Sequence, residues 1–216
     1  MVIAMDGPAG AGKSTVAKLV AAKLGFSYLD TGALYRSAAL KAHRLGIALE
    51  DSPELRRMMA EMVIGFDGAR VLLDGEDVSE AIRTPDASHR ASVISAIPVV
   101  REMLLPLQRR IGEKQGIVAD GRDMCTVVFP DAKNKFFIDA SVEERARRRF
   151  LELSAKGMAT TLEAVLEDLR IRDERDSTRE TAPLRRADDA VYILTDGLDA
   201  GQAADMVLSM LKGADT

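Results

Sequence analysis

The chain has 216 residues, 47% of them apolar and 30% charged, an ordinary globular composition long enough to bury one substantial core. Thirty Lys and Arg against 34 Asp and Glu leave a formal net charge of −4, which argues against a general nucleic-acid or anionic-membrane binder. The single cysteine, Cys125, excludes an internal disulfide or a cysteine-rich metal cluster. No apolar run approaches the roughly 18 residues of a membrane span, and Met1 to Asp6 lack a basic leader region. The expectation is a soluble cytoplasmic protein.

Taken in chain order, Val2 to Met5 form a short apolar strand that stops at Asp6-Gly7-Pro8. Val16, Leu19, Val20 and Leu24 then recur at helical spacing, with Gly25 as the C-cap. A second strand over 26–29 leads into Asp30-Thr31-Gly32, where Asp30 or Thr31 caps a helix running through His43. The 47–100 stretch is less regular. Val71-Leu72-Leu73 beside Asp74-Gly75 predicts a small hairpin, and Pro53, Pro85 and Pro98 punctuate the rest. A helix near 99–112 precedes the strand Gly116 to Ala119, which ends at Asp120-Gly121. Lys135 to Asp139 is another strand of buried type, followed by polar, Arg-rich helical sequence over 142–180. The last strand, Ala190 to Leu194, leads to a C-terminal helix with Ala203, Met206, Val207, Met210 and Leu211 on one face. Short apolar strands alternating with amphipathic helices predict an α/β fold, a parallel sheet covered on both faces.

Gly7-Pro8-Ala9-Gly10-Ala11-Gly12-Lys13-Ser14 matches G-x-x-x-x-G-K-[ST] at every fixed position, after a strand and before a helix. Backbone N–H groups of such a loop curl around phosphate oxygens, and the helix N-terminus adds positive potential. Lys13 reaches the β- and γ-phosphates in this arrangement and Ser14 offers its hydroxyl to Mg²⁺. The bland alternative is a Gly-rich turn with a solvated lysine. The loop implies a nucleoside triphosphate without saying what is done with it. A guanine-reading Asn-Lys-x-Asp is missing, since Asn134-Lys135-Phe136-Phe137 lacks the acid. A compact chain with two polar excursions suits a small-molecule kinase better than a motor or transporter.

Several clusters read as sites for a second anion. Arg36 follows the second strand by about one helical turn, where open α/β sheets bind ligands; the alternative is an arginine snorkelling on a helix surface. Asp120-Gly121-Arg122-Asp123 ends the third strand at the same edge, or is a loop of solvated charges. Arg172, Arg175, Asp176 and Arg179 share one helix face, which weak surface ion pairs would also explain. Arg145, Arg147, Arg148 and Arg149 form a basic stretch, but Glu143, Glu144 and Glu152 flank it. Phosphoryl transfer gives all these arginines a common reason, because charge on the transferring group is stabilised where water is excluded.

Together these motifs resemble the bacterial cytidylate kinase family of nucleoside monophosphate kinases. The resemblance rests on residues 7–15, Asp30-Thr31-Gly32-Ala33-Leu34-Tyr35-Arg36, Ile82-Arg83-Thr84-Pro85 and Val100-Arg101-Glu102. It continues through Ala119-Asp120-Gly121-Arg122-Asp123-Met124, Thr126-Val127-Val128-Phe129-Pro130-Asp131-Ala132, Glu143-Glu144-Arg145-Ala146 and Arg172-Asp173-Glu174-Arg175-Asp176. It implies a single kinase domain over 1–216 on a P-loop NTPase-type five-stranded parallel sheet, with a monophosphate-binding insert over 35–100 and a lid over 142–182. The implied reaction is Mg²⁺-dependent transfer of the ATP γ-phosphoryl group to CMP or dCMP, by a monomer with no nucleic-acid or membrane partner.

The resemblance also implies roles. Gly7, Pro8, Ala9, Gly10, Ala11, Gly12, Lys13, Ser14 and Thr15 bind ATP with Arg148 near the adenine, and Ser14 and Asp120 serve Mg²⁺. Arg36, Arg122 and Arg179 hold the CMP phosphate; Thr31 and Asp176 lie against the nucleotide, Asp176 at the ribose; Ser92, Arg101 and Asp123 read the base. Lys13, Arg122, Arg172 and Arg179 are the catalytic set. The cytosine N4 amino donor suits an acid such as Asp123, and Arg101 can donate to N3 and O2. His43 and His89 are left as surface or packing residues.

Cys125 departs from the family pattern, which usually has glycine there. A positive φ at that position would strain a cysteine by about 1–3 kcal/mol; otherwise the glycine is not required. The thiol is either a buried small side chain or a group close enough to the acceptor pocket for alkylation to inhibit. Two readings remain beside a cytidylate kinase: a kinase for another small acceptor such as UMP, AMP or shikimate, and a regulatory module that binds ATP without turnover.

Overall fold

A computed structural model describes residues 1–113 and 116–213. The chain divides into two compact units, one made of Met1–Leu29 and Gly112–Thr216, the other of Asp30–Ile111.

The first unit is organised by the strands β1 (Val2–Asp6), β2 (Ser27–Asp30), β6 (Ile117–Asp120), β7 (Asn134–Asp139) and β8 (Val191–Leu194), in the order β2-β6-β1-β7-β8. β1 runs parallel to β6 and to β7, and β7 runs parallel to β8, as the predicted α/β fold requires. Ile3, Met5, Val118, Phe136, Ile138 and Ile193 are buried, because a parallel sheet covered on both faces leaves no side for polar residues. α1 (Lys13–Leu24) and α8 (Ala200–Ser209) complete this core through Val16, Ala17, Val20, Ala203, Ala204 and Val207. The Arg-rich stretch over 142–180 is helical, as expected, and forms two helices, α6 (Val142–Ala155) and α7 (Leu162–Thr178), which pack on each other. The chain turns at Gly157 (φ +71°), and Thr161 starts α7 by accepting the Ala164 N–H.

The second unit holds α2 (Thr31–Arg44), α3 (Pro53–Glu61), α4 (Pro85–Ile94) and α5 (Pro98–Gly112), with a three-stranded antiparallel sheet β3 (Ile64–Asp67), β4 (Arg70–Leu73) and β5 (Glu76–Asp77). Asp30 is the α2 cap, its side chain accepting the Ala33 N–H. The predicted hairpin is β4–β5, turning through Asp74 (φ +51°) and Gly75 (φ +87°), a two-residue loop with the twist hairpins favour. The stretch read as less regular thus carries α3, β3 to β5 and α4. Ser52-Pro53 and Thr84-Pro85 are capped starts of α3 and α4 rather than mere punctuation. Among the described residues no single helix is long and apolar enough to cross a membrane. The pair α4 and α5, bent by 103°, matches in length and composition, but Ile94, Val99, Val100 and Leu104 lie in this unit's core.

Cys125 lies in a single π-helical turn, Met124–Val128, and does not have a positive φ. The cysteine therefore brings no backbone strain, and no glycine is required there. Its side chain is 2% exposed, with Sγ 3.4 Å from the Ala4 carbonyl and 3.7 Å from that of Phe136. Burial, followed by the Asp6 charge, pushes the thiol far above its ordinary pKa. Of the two readings of Cys125, the buried side chain is the one observed. The native protein should thus react with a thiol reagent such as iodoacetamide only as fast as it opens, and labelling should accelerate sharply in denaturant. Labelling at the rate of a free thiol under native conditions would contradict this placement.

Candidate functional site

In the first unit the phosphate loop joins β1 to α1. Gly7 (φ +144°) is irreplaceable on steric grounds, since a Cβ there would lie 1.9 Å from the Ile138 carbonyl oxygen. Lys13, the first residue of α1, is buried and donates from Nζ to the Pro8 carbonyl at 2.6 Å, folding its amine back over the loop. Burial pushes this amine well below the ordinary lysine range and the Arg122 charge adds to the effect, while Asp120 and Asp6 oppose it. A phosphate at this point would supply the missing counter-charge.

Ser14 Oγ donates to Asp120 Oδ2 at 2.6 Å, and the Tyr28 hydroxyl donates to Asp120 Oδ1 at 2.9 Å. One hydroxyl and one carboxylate side by side suit Mg²⁺, which keeps several waters and takes its remaining ligands from phosphates. Among the described residues, no group of three or more His, Cys, Asp or Glu side chains forms a cage able to hold a metal by itself.

Asp176, near the end of α7, accepts from Arg122 Nε at 2.8 Å and lies 4.0 Å from Arg172 Nε. Burial works to raise its pKa, but the Arg122 charge, with those of Arg172 and Arg179, outweighs it and holds the carboxyl below its ordinary value. Arg179 caps α7 and donates from Nε to the Ala182 carbonyl at 2.8 Å. Arg148 donates to the Thr195 hydroxyl at 3.0 Å and to the Thr195 carbonyl at 2.6 Å. Its guanidinium passes 3.7 Å from where a Cβ on Gly12 would be, so it sits beside the phosphate loop. Asp123 is buried at the entrance of the π-helical turn.

In the second unit Arg36 pairs with Asp30 at 2.7 Å and lies across Gly32, where a Cβ would come within 2.7 Å of its guanidinium. The absent side chain at Gly32 leaves room for that arginine. Arg36 Nε is buried without a hydrogen-bond partner among the described residues, a donor in want of an acceptor. Thr31 and Ser92 are buried. Arg101, also buried, donates to the Ser95 carbonyl at 3.0 Å and lies over the Tyr35 ring at 5.4 Å. His43 and His89 are exposed.

The first unit thus brings together Lys13, Ser14, Asp120, Arg122, Arg172, Asp176 and Arg179, with Arg148 beside the phosphate loop at Gly12. Sequence reasoning missed residues that support this set. Arg145, buried, donates to the carbonyls of Ala140 (2.9 Å) and Ala9 (3.1 Å) and to Asp173 (2.6 Å), tying α6 and α7 to the phosphate loop. Thr195 links Arg148 to the Ala11 carbonyl at 3.3 Å. A basic run could not show which of its arginines faces inward; the apolar spacing of Ala146, Leu153, Val165 and Leu169 around it was the available signal.

The Arg122–Asp176 pair has a measurable pH signature. Its folded pKa lies below the ordinary unfolded value of about 3.9, so the pair contributes fully above that value and is lost as pH falls through the folded one. Asp176→Asn should cost about 3 kcal/mol of stability at neutral pH, because the largely buried Arg122 loses the carboxylate it bonds to. Urea unfolding of both proteins should show the gap narrowing as pH is lowered past the ordinary carboxylate value of about 3.9; a gap that is pH-independent would contradict the pairing.

Residues 3–213 match the family model described as Cytidylate kinase. A cytidylate kinase of Geobacter sulfurreducens is 50% identical over 216 residues, covering 98% of this chain and 93% of the relative. A cytidylate kinase of Caldanaerobacter subterraneus subsp. tengcongensis is 51% identical over 210 residues, covering 97% and 94%. A crystal structure of an uncharacterized protein from Eubacterium ventriosum superposes with a TM-score of 0.50 at 14% identity, covering 97% of this chain and 96% of that one, which speaks for the fold alone. A match over nearly the whole chain, at half identity to its relatives, means that this protein belongs to the cytidylate kinase family.

Proposed function

We propose that this chain transfers the γ-phosphoryl group of ATP to the phosphate of CMP or dCMP, giving CDP or dCDP and ADP. The observation that carries the reading is the cationic cluster of Lys13, Arg122 and Arg172 gathered around Asp120 and Asp176. Such a cluster is costly without a polyanion and suits a transition state whose charge spreads over the transferring phosphoryl oxygens.

The proposed roles follow from chemistry. Residues 7–15 cradle the ATP phosphates, Lys13 neutralises the β- and γ-oxygens, and Arg148 borders the adenine. Ser14 and Asp120 hold Mg²⁺ through its water shell, and the ion supplies charge neutralisation on the bridging phosphates. Arg36, Arg122 and Arg179 bind the CMP phosphate, with Arg36 Nε offering a buried donor that lacks an acceptor. Arg172 joins Lys13, Arg122 and Arg179 in stabilising the transferred group. Thr31 and Asp176 contact the nucleotide. Ser92, Arg101 and Asp123 read cytosine, whose N4 amino group donates where uracil presents a carbonyl. No general base is required, because the acceptor phosphate is already anionic near neutral pH; positioning and charge stabilisation carry the catalysis. We assign residues 35–100 to monophosphate binding and 142–182 to a lid, in a monomeric enzyme acting in the cytoplasm.

ADP release from Mg·ATP should be stimulated strongly by CMP and dCMP, weakly by UMP, and not by AMP or shikimate. Asp123→Ala should reduce kcat/KM for CMP about tenfold or more, with a much smaller loss for UMP, the expected size of one base-reading contact. Equal losses for the two acceptors would remove Asp123 from the base-reading set. ATP binding without stimulation by any acceptor would favour a regulatory module.

A further inference from the structure

Asp6 is the last residue of β1, immediately before the phosphate loop, and is fully buried. Its two carboxylate oxygens are both engaged: Oδ1 accepts the Met124 N–H and Oδ2 the Cys125 N–H, each at 2.8 Å. Those amides open the π-helical turn, and Met124 and Cys125 are themselves buried, so water is poorly placed to satisfy them. The turn's later amides, of Val127 and Val128, are satisfied elsewhere, on the Asp123 carbonyl at 2.9 and 3.1 Å. One residue earlier on β1, the Met5 carbonyl accepts the Gly121 N–H at 3.0 Å. Arg122 and Asp123 are therefore held between two tethers, Gly121 on one side and Met124–Cys125 on the other. Both tethers end on consecutive residues of the strand that feeds the phosphate loop.

A buried acid is an expensive way to hold a turn. Burial pushes Asp6 up to about 6 and the neighbouring Asp123 charge adds to it, while the Met124 and Cys125 amides pull it back. An apolar residue would suit this interior at lower cost if nothing depended on the turn's position.

We propose that Asp6 is a positioning residue for the acceptor: its carboxylate clamps the Arg122–Asp123 segment in register with the phosphate-loop strand, so that the groups assigned to CMP are oriented before CMP arrives. The role rests on the functional reading above and reaches the acceptor through Arg122 and Asp123, separately from the effect of the Asp6 charge on Lys13. It makes Asp6 matter to acceptor recognition although it lies next to the donor loop in sequence.

The test compares wild type with Asp6→Asn, whose amide keeps one acceptor and turns a donor toward the other N–H. In wild type, hydrogen exchange followed by NMR should show the Met124 and Cys125 amides protected like those of β1 and β6, a result that needs no variant to fold. Asp6→Asn should speed exchange in the 121–128 segment about tenfold, as expected for one lost charge-assisted hydrogen bond, and leave α8 unchanged. KM for CMP should rise about tenfold and the CMP-over-UMP preference should fall, while ATP affinity, which feels Asp6 through its charge on Lys13, falls by a smaller factor than that for CMP. Wild-type amides at Met124 and Cys125 exchanging at loop rates would overturn the proposal. So would an unshifted KM for CMP, or equal losses for ATP and CMP with faster exchange throughout the chain. Wild type that phosphorylates no CMP would instead sink the functional reading while leaving the exchange result to stand.

Discussion

The structure depends on holding like charges together before their counter-ion arrives. Lys13 is buried where the charges of Arg122 and Arg172 act on it, and Asp120, Asp6, Asp173 and Asp176 temper the repulsion within the cluster. Each carboxylate is itself constrained: Asp120 by Ser14 and Tyr28, Asp176 by Arg122, Asp6 by two backbone amides. Removing water from such a set is unfavourable in the free protein, and it strengthens every contact made to phosphate once phosphate is bound. The fold supplies the rigidity. β1, β6 and β7 deliver the phosphate loop, Asp120-Gly121-Arg122-Asp123 and the start of α6 from neighbouring parallel strands, so these groups inherit the precision of the sheet.

Backbone contacts finish what the sheet begins. The phosphate loop passes so close to Ile138 that Gly7 admits no side chain. Arg145 holds the Ala9 carbonyl from α6 and reaches Asp173 on α7, so the two Arg-rich helices are referenced to the loop itself. Thr195 does the same for Arg148 from the segment after β8. In the second unit Asp30 does two jobs with one carboxylate, capping α2 through the Ala33 amide and steadying Arg36. Arg36, Arg122, Arg145, Arg148 and Arg179 are thus each held by a carboxylate or a carbonyl, which fixes their geometry before any ligand binds.

Much of this was legible in the sequence because it is local. The G-x-x-x-x-G-K-S spacing, the Asp-Gly hairpin turn at 74–75 and the strand that ends at Asp120 each carry their structure in consecutive residues. The order inside 47–100 was harder to read: α3 and α4 are short, their starts lie at prolines, and β3 to β5 cover only two to four residues each. What the sequence could not display were pairings across long separations. Asp6 meets Met124 and Cys125 more than a hundred residues away, and Arg145 meets Ala9 across a similar distance. The sequence alone leaves Cys125 open, and its backbone conformation and burial show an unstrained, buried side chain.

The claim at the centre of this account is that the free enzyme holds Lys13 with a depressed proton affinity which nucleotide phosphate restores. Isothermal titration of ATP into the protein over a pH series rising from neutral toward the ordinary lysine value of about 10.4, in buffers of different ionisation enthalpy, measures this directly, since uptake by Lys13 appears wherever the free amine has lost its proton. The account predicts net proton uptake on binding that disappears in Lys13→Met. Binding with no proton uptake in wild type, or uptake that persists unchanged in Lys13→Met, would contradict it.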